Sequence, residues 1–369
     1  MAESGCVRKL GCVVLAILIL CCSRALCGTY GGGTGTEADP YIISTDAHLQ
    51  ELSANSGDWG QCFKLTADIT AALYTPVTLF TGQFDGNHHT ISDFSYTSET
   101  AHYRGFFCRV EGHGAVVKNL TLIAPNVNVP TRQYVGAIAG RLRYGVISGC
   151  SVIGGSVRGH SITGGIVGHN FTGSVIDCFS SASVVSGMRT GGIVGSNDEN
   201  SYITGCVNQG SVTASSDFGG GIAGENLGYL TACYSSGNVT GINYVGGLIG
   251  TNGTSGRVAP VVRCFSESPT SGTSWVGGLI GRNASGPVSD SFAAGAVAPV
   301  NAPAAGLIAR NESTGTVARC YSRGAVTKMG SNFGGLIGQN LATASAIAAS
   351  FWDTQTSGQT TSAGGTGRT

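Results

Sequence analysis

The amino-acid sequence predicts an all-β fold, a right-handed parallel β-helix solenoid of about eight regular coils, and three observations carry that expectation. The first is a phrase, Val-Gly-Gly-Leu-Ile-Gly-x-Asn, written eight times with wear: Val135–Leu142, Thr163–Asn170, Thr190–Asn197, Gly219–Asn226, Val245–Asn252, Val276–Asn283, Ala304–Asn311 and Phe333–Asn340. The third residue of each copy falls at 137, 165, 192, 221, 247, 278, 306 and 335, so the steps run from 26 to 31 residues. A steady period of this size is the mark of a solenoid, whose repeats bury a core only by stacking. The second observation is a residue in the same phase: Cys150, Cys178, Cys206, Cys233, Cys264, Ser291 and Cys320, each ahead of a short pair such as Phe-Ser or Tyr-Ser. The third is a negative one. No i, i+3, i+4 apolar stripe is sustained, while short β-branched runs closed by Gly, Ser or Asn recur, which reads as strands and turns. A β-propeller is the runner-up, but its blades need about 40 residues each.

Taken in chain order, residues 1–27 read as a secretory signal peptide. Arg8 and Lys9 precede the apolar run Val13–Leu20, and the small residues Ala25 and Cys27 suit a cleavage site before Gly28. The run is too short for a membrane helix, and no span is expected in the mature chain. A lipoprotein signal at Cys21, Cys22 or Cys27 is the alternative, and either reading places the protein outside the cell or on its surface.

Residues 28–133 do not fit the repeat and are expected to form an N-terminal cap with irregular first coils, because an open solenoid end leaves backbone groups unpaired. Asp46–Ala54 is the best short helix, with Asp46 as its cap and Leu49 and Leu52 facing inward. Cys62–Ile69 looks like a strand, Phe80–Tyr96 has hairpin character with Asp85-Gly86-Asn87 as the turn, and Val116–Val129 already alternates like a coil. Residues 134–352 hold the regular coils, each of two or three strands. Residues 353–369 form a polar, Gly- and Thr-rich tail, expected to be mobile or to begin a continuation.

Within the repeat, every recurring residue occupies one point of the cross-section. The glycines mark bends or close packing, and the Leu-Ile or Ile-Val pair supplies an apolar strand centre. The asparagines Asn170, Asn197, Asn226, Asn252, Asn283, Asn311 and Asn340 are expected to form a structural ladder, amide bonding to amide between coils. Of 13 cysteines, five lie in the first 27 residues. Eight in a secreted chain invite a disulfide framework. Stacked side chains point in parallel rather than at one another, however, so the cysteines from Cys150 to Cys320 are read as a buried thiol ladder.

Function is less legible. Charged residues make up 11% of the chain and the formal net charge is zero, so no nucleic-acid partner is expected. No zinc spacing, calcium repeat, nucleophile elbow or phosphate loop occurs, and no cofactor or metal is expected. The best acidic cluster is Asp198 and Glu199 with Glu225 about one coil on, read as a solvated bend; Asp177 and Asp290 share a slot four coils apart; and His88 and His89, if on a strand, face opposite sides. Six glycosylation sequons occur, at Asn119, Asn170, Asn238, Asn252, Asn283 and Asn311.

The repeated phrase resembles the GLUG motif of bacterial surface and secreted proteins, and "GGGTGTEADPYII", "FTGQFDGNHHTIS" and "SFWDTQTSG" resemble segments that accompany it. Departures fall at Ala305 and Ala309, where glycines are replaced, and at Leu142, where the asparagine is. The resemblance implies a β-helical stalk or adhesin-like region, in a family that includes parts of immunoglobulin A peptidases, and brings no catalytic residues with it. Two functions therefore compete. One is a surface module without catalytic activity that binds a glycan or a surface protein through its outer face. The alternative is a carbohydrate-active or peptidase-associated enzyme, for which polysaccharide hydrolysis would need paired carboxylates.

Overall fold

The computed structural model describes residues 28–369 apart from Leu73, 98–100, Ala302, 329–330 and 344–345. The signal segment, with its five cysteines, lies outside the described residues. The chain winds into a parallel β-helix of about nine turns with three sheets, here named A, B and C, of 19, 12 and 14 strands among the described residues. One regular coil shows the plan. Ser156–Arg158 and Ser161–Gly164 lie on sheet C, Val167–Phe171 and Ser174–Ile176 on sheet A, and Phe179–Ser180 on sheet B. Each strand pairs in parallel with the strand one period on, as Val167 with Val194 and Asn170 with Asn197. A and C each bend once, so a coil consists of five short strands.

The bends have a sequence cause. From A to B the chain turns on one residue in the left-handed region, ahead of the cysteine slot: Asn119, Gly149, Asp177, Gly205, Ala232, Arg263, Asp290, Arg319 and Ala349 have φ between 46° and 66°. Five of the nine are Asn, Asp or Gly, the types that enter this region at least cost. From C to A the chain turns at the Gly-Leu step of the repeated phrase. Ile166 sits in that bend and Val167 opens the strand after it, and both are fully buried. Two adjacent residues of a flat strand would face opposite ways. The pair therefore marks a corner, where both side chains turn inward, rather than the strand centre expected from sequence.

The glycines are needed because layers touch here. A Cβ on Gly165 would collide with the backbone of Gly192 and reach within 2.5 Å of the Ser180 hydroxyl across the coil, and one on Gly168 would come 2.5 Å from the Val135 amide. Ala305 replaces one of these glycines, yet the strand keeps register with Gly277 and Gly334.

Coiling starts earlier than the repeat. Tyr41–Ile43 already pairs with Cys62–Leu65, which pairs with Gln83–Asp85, all in sheet A. These coils lack the Gly-rich phrase because aromatic side chains fill them: Phe63, Phe80, Phe84, Phe94, Phe106 and Phe107 are fully buried, and Tyr74 stacks on Phe106 at 4.3 Å. Helix α1 (Asp46–Ala54) packs Leu49 and Leu52 inward as expected, but its cap is Thr45, whose side chain accepts from the His48 amide. The expected hairpin over Phe80–Tyr96 does not form. Gln83–Asp85 pairs with Val116–Lys118 in sheet A, while Thr90–Ser92 pairs with Thr121–Ile123 in sheet B. The Asp-Gly-Asn sequence is a corner between sheets, tied by Asp85 accepting from the Asn87 amide (2.8 Å) and from Asn119 Nδ2 (3.1 Å).

The tail is docked onto the last coil. Asp353 caps the short helix α2 (Thr354–Ser357), Thr366–Arg368 adds a strand to sheet B beside Phe351–Asp353, and buried Gln359 donates to the carbonyls of Val326 and Lys328.

Candidate functional site

The seven ladder asparagines stack on the inner side of sheet A. From Asn170 to Asn311 each Nδ2 donates to the next Oδ1, giving six bonds of 2.8–3.0 Å that end on Asn340. Each Nδ2 also reaches a carbonyl across the following turn, such as Gly173 for Asn170 and Gly315 for Asn311. Asn170 through Asn311 are fully buried. Of the sequon asparagines, Asn170, Asn252, Asn283 and Asn311 are thus enclosed, Asn119 is tied to Asp85, and Asn238 is exposed. Above Asn170 the slot holds Leu142, and the Asn170 Oδ1 has no hydrogen-bond partner.

Cys150, Cys178, Cys206, Cys233, Cys264 and Cys320 stack just after the A–B corner, all buried and free. Each thiol points at a carbonyl two residues back, at 3.3–3.5 Å. Burial pushes Cys150, Cys206 and Cys264 up and takes Cys320 to about 11, whereas hydrogen bonds from Cys150 and Cys206 draw Cys178 down and, against its burial, those from Cys206 and Cys264 draw Cys233 down. The four raised thiols lack the thiolate character that makes a cysteine reactive. Ser291 fills the same slot, its hydroxyl donating to the Ser289 carbonyl at 2.7 Å.

The acidic cluster of Asp198, Glu199 and Glu225 lies on the outside, and each of the three meets a base. The His169 Nε2 is 3.0 Å from the Asp198 carboxylate, Glu225 lies 2.8 Å from the Arg189 Nε and accepts from the Ser196 hydroxyl at 3.0 Å, and Glu199 is 3.7 Å from Arg257. Asp198, Glu199 and Arg257 border a cleft of 280 Å³ with Thr172 and Asn200. Asp198 and Glu199 sit at a solvent-facing bend, and contacts to bases on other coils tie the cluster together. The same pattern recurs along sheet A, where Glu111 lies between Arg109 and Arg141 and Glu312 between Arg282 and Arg310. Arg141, Arg282 and Arg310 occupy the variable position of the repeated phrase, which sequence reading passed over, and Arg109 pairs in register with Arg141 one coil earlier. Asp177 and Asp290 are corner residues, and the Arg319 guanidinium beside Asp290 holds its carboxyl below the usual range. His88 and His89 fall in a corner rather than on a strand, and His89 lies 3.3 Å from Asp68. Among the described residues no group of three His, Cys, Asp or Glu is placed to hold a metal.

Two outer columns were not anticipated. On sheet B, Tyr234, Phe265, Phe292 and Tyr321 stack ring on ring at 4.8–5.3 Å. Their faces are covered by one another, so only ring edges meet solvent. On sheet C, Ser95, Asn126, Ser156, Ser183, Ser211 and Asn238 form a column over six coils. Neighbours bond at 3.2 Å (Asn126 to Ser95), 3.3 Å (Ser156 to Asn126) and 3.2 Å (Ser211 to Ser183). Beside this column, at the bend of sheet C, runs a groove of 480 Å³ lined by Arg158, His160, Ser161, Ser186 and Ser215.

Comparison with known proteins places these features. A stretch of 156 residues is 33% identical to a protein of Evansella cellulosilytica named "Putative Gly-rich membrane protein", covering 38% of this chain and 18% of that one. A stretch of 119 residues is 32% identical to "Halomucin" of Haloquadratum walsbyi, covering 29% of this chain and 1% of that one. The chain thus spans a minor part of the length of these curated relatives. Among solved structures, one described as "a putative immunoglobulin A1 protease from Bacteroides ovatus" matches with a TM-score of 0.48 at 18% identity, covering 87% of each chain. Residues 159–185, one full coil from the sheet C bend through the glycine phrase to sheet B and back to sheet C, match the family model of the GLUG motif, and so the chain carries that motif as the coil of its β-helix.

Proposed function

We propose that this chain is an extracellular β-helical binding module that holds a glycan along the outer face of sheet C and has no catalytic activity of its own. The observation that carries the reading is the column from Ser95 to Asn238. It sets four hydroxyls and two amides in one line over six coils, and Ser95, Asn126, Ser211 and Asn238 are exposed. A saccharide laid along the axis meets a donor or acceptor at every step of about 4.8 Å. Each contact is weak, and an array sums them. The extracellular placement is supported by the leader-like first 27 residues and by relatives named as a membrane protein and a halomucin. Among the described residues no helix is long and apolar enough to cross a membrane.

A second reading, a peptidase-associated or carbohydrate-active enzyme, is favoured by the pairing of His169 with Asp198 at the edge of the 280 Å³ cleft. A positioned His-carboxylate pair is a common element of general acid–base chemistry. One experiment separates the two: a glycan and surface-protein binding screen of residues 28–369, run beside a release assay on the same compounds. Binding without turnover is expected, weakened about tenfold by Ser211→Glu or Asn238→Glu with an unchanged circular dichroism spectrum. Turnover that disappears in Asp198→Asn would establish the enzyme instead.

A further inference from the structure

The neutral chain is not neutral along its axis. Residues 28–100 carry nine carboxylates against Lys64 alone, residues 101–190 carry eight Lys and Arg against Glu111 and Asp177, and residues 191–369 carry eight of each sign. In a solenoid, sequence blocks become bands along the axis, so the coils built from 101–190 form a basic band with an excess of six positive charges. Part of that charge is spoken for, since Glu111 lies with Arg109 and Arg141. Arg158 has no carboxylate within ion-pair distance among the described residues, and its side chain is exposed.

Arg158 lines the 480 Å³ groove at the sheet C bend, and no carboxylate lines that groove. His160 stands two residues on, exposed, and the hydroxyls of Ser161, Ser215 and Ser216 and the amide of Gln133 share the lining. Val185 and Met188 give it an apolar wall. Arginine offers a planar fork that matches a carboxylate or sulfate, and serine hydroxyls suit neighbouring sugar hydroxyls. Arg158 and Val185 are on the same outer face as Ser156 and Ser183, so a chain following the hydroxyl column passes the groove.

We infer that this groove is an acidic-sugar subsite, in which Arg158 and His160 hold the carboxylate or sulfate of a glycan whose neutral hydroxyls lie on the sheet C column. The inference rests on the glycan-binding reading above and names its ligand class. The test is titration calorimetry of residues 28–369 with three probes: oligogalacturonate, which carries carboxylates only, carrageenan oligosaccharide, which carries sulfate esters only, and neutral agarose oligosaccharide. At least one acidic probe is expected to bind about tenfold or more tightly than the neutral one, with an affinity that falls as salt rises. Which acidic probe wins identifies the group. Arg158→Gln and His160→Gln, both exposed, should each erase most of that preference, whereas Arg263→Gln, on the far corner between A and B, should leave it within about twofold. Arg158→Lys should keep part of it. Equal affinity for acidic and neutral probes, or a preference untouched by Arg158→Gln and His160→Gln, would overturn the subsite while leaving neutral-glycan binding intact. Failure of all three probes to bind would overturn both readings.

Discussion

Asn226 is bonded from both sides. It accepts from Asn197 and donates to Asn252, each at 2.8 Å, and its amide also reaches the Gly228 carbonyl at 3.2 Å. Asn170 has only the downward half of this arrangement, because Leu142 above it offers no donor. The difference makes the ladder measurable. Truncating Asn226 leaves the Asn252 Oδ1 without its donor and takes the Asn197 Nδ2 from its acceptor, both in a fully buried slot. An unsatisfied buried polar group costs about 1–3 kcal/mol. Asn226→Ala should therefore lower stability by about 2–4 kcal/mol in urea unfolding followed by circular dichroism. Asn170→Leu copies what the chain already does at Leu142 and shifts the partnerless oxygen from Asn170 to Asn197 without adding to their number, so it should cost less than half as much. Equal costs would mean that volume, not the amide ladder, sets the energy of this slot. The ladder was legible because one polar type recurred at the period. The left-handed residues before the cysteines were not, because Asp177, Ala232, Arg263 and Arg319 share a backbone angle and no side-chain chemistry.

At the scale of one coil, sequence and structure agree where a residue type is forced and diverge where several types would do. The glycines are forced. A Cβ on Gly192 would strike the Asn208 side chain and the Gly221 carbonyl at once. Backbone on one side and a buried amide on the other leave nothing free to give way. Gly192→Ala should thus destabilise by about 2 kcal/mol or more through overpacking. Gly114, with nothing within 4 Å of its Cβ position, should accept alanine within about 0.5 kcal/mol. A thermal melt of the two variants beside the parent reads this directly, and equal melting temperatures would refute the claim that close packing selects these glycines. The first coils were hidden because aromatic volume replaces the phrase there. Phe63, Phe84 and Phe107 fill the space that glycine, leucine and isoleucine share further on, so nothing repeats for a reader of the sequence to find. The Asp-Gly-Asn corner misled for a related reason. It has the chemistry of a hairpin turn, but the flanking strands find partners one coil away and never meet each other.

For the whole molecule the governing problem is its ends. A stack of parallel strands offers unpaired backbone and apolar side chains at both, and an uncovered strand edge is a template for another chain. At the first end α1 lays Leu49 and Leu52 on the core. At the other the polar tail does the work despite its composition. Gln359 accepts from the indole of Trp352 through its carbonyl at 3.1 Å, the Ala363 amide donates to Ile337 at 2.9 Å, and Thr366–Arg368 pairs with Phe351–Asp353. These contacts come from a segment rich in Gly, Ser, Thr and Gln, types that also compose mobile segments, which is why composition alone did not reveal a docked cover. Removing 354–369 would uncover Trp352, Leu336 and Ile337, which are 6%, 0% and 0% exposed, and would free the edge of Phe351–Asp353. The coils before it would keep their own neighbours, since a solenoid is held by nearest-neighbour contacts. A chain ending at Asp353 should therefore fold and then associate. Size-exclusion chromatography with light scattering is expected to give dimers and larger species that grow with concentration, where residues 28–369 elute as a smaller species under the same conditions. Adding Leu336→Lys and Ile337→Lys to the shortened chain should restore the smaller species if the exposed apolar end drives the association. A shortened chain no more associated than the parent would mean that the tail packs on the last coil without protecting it.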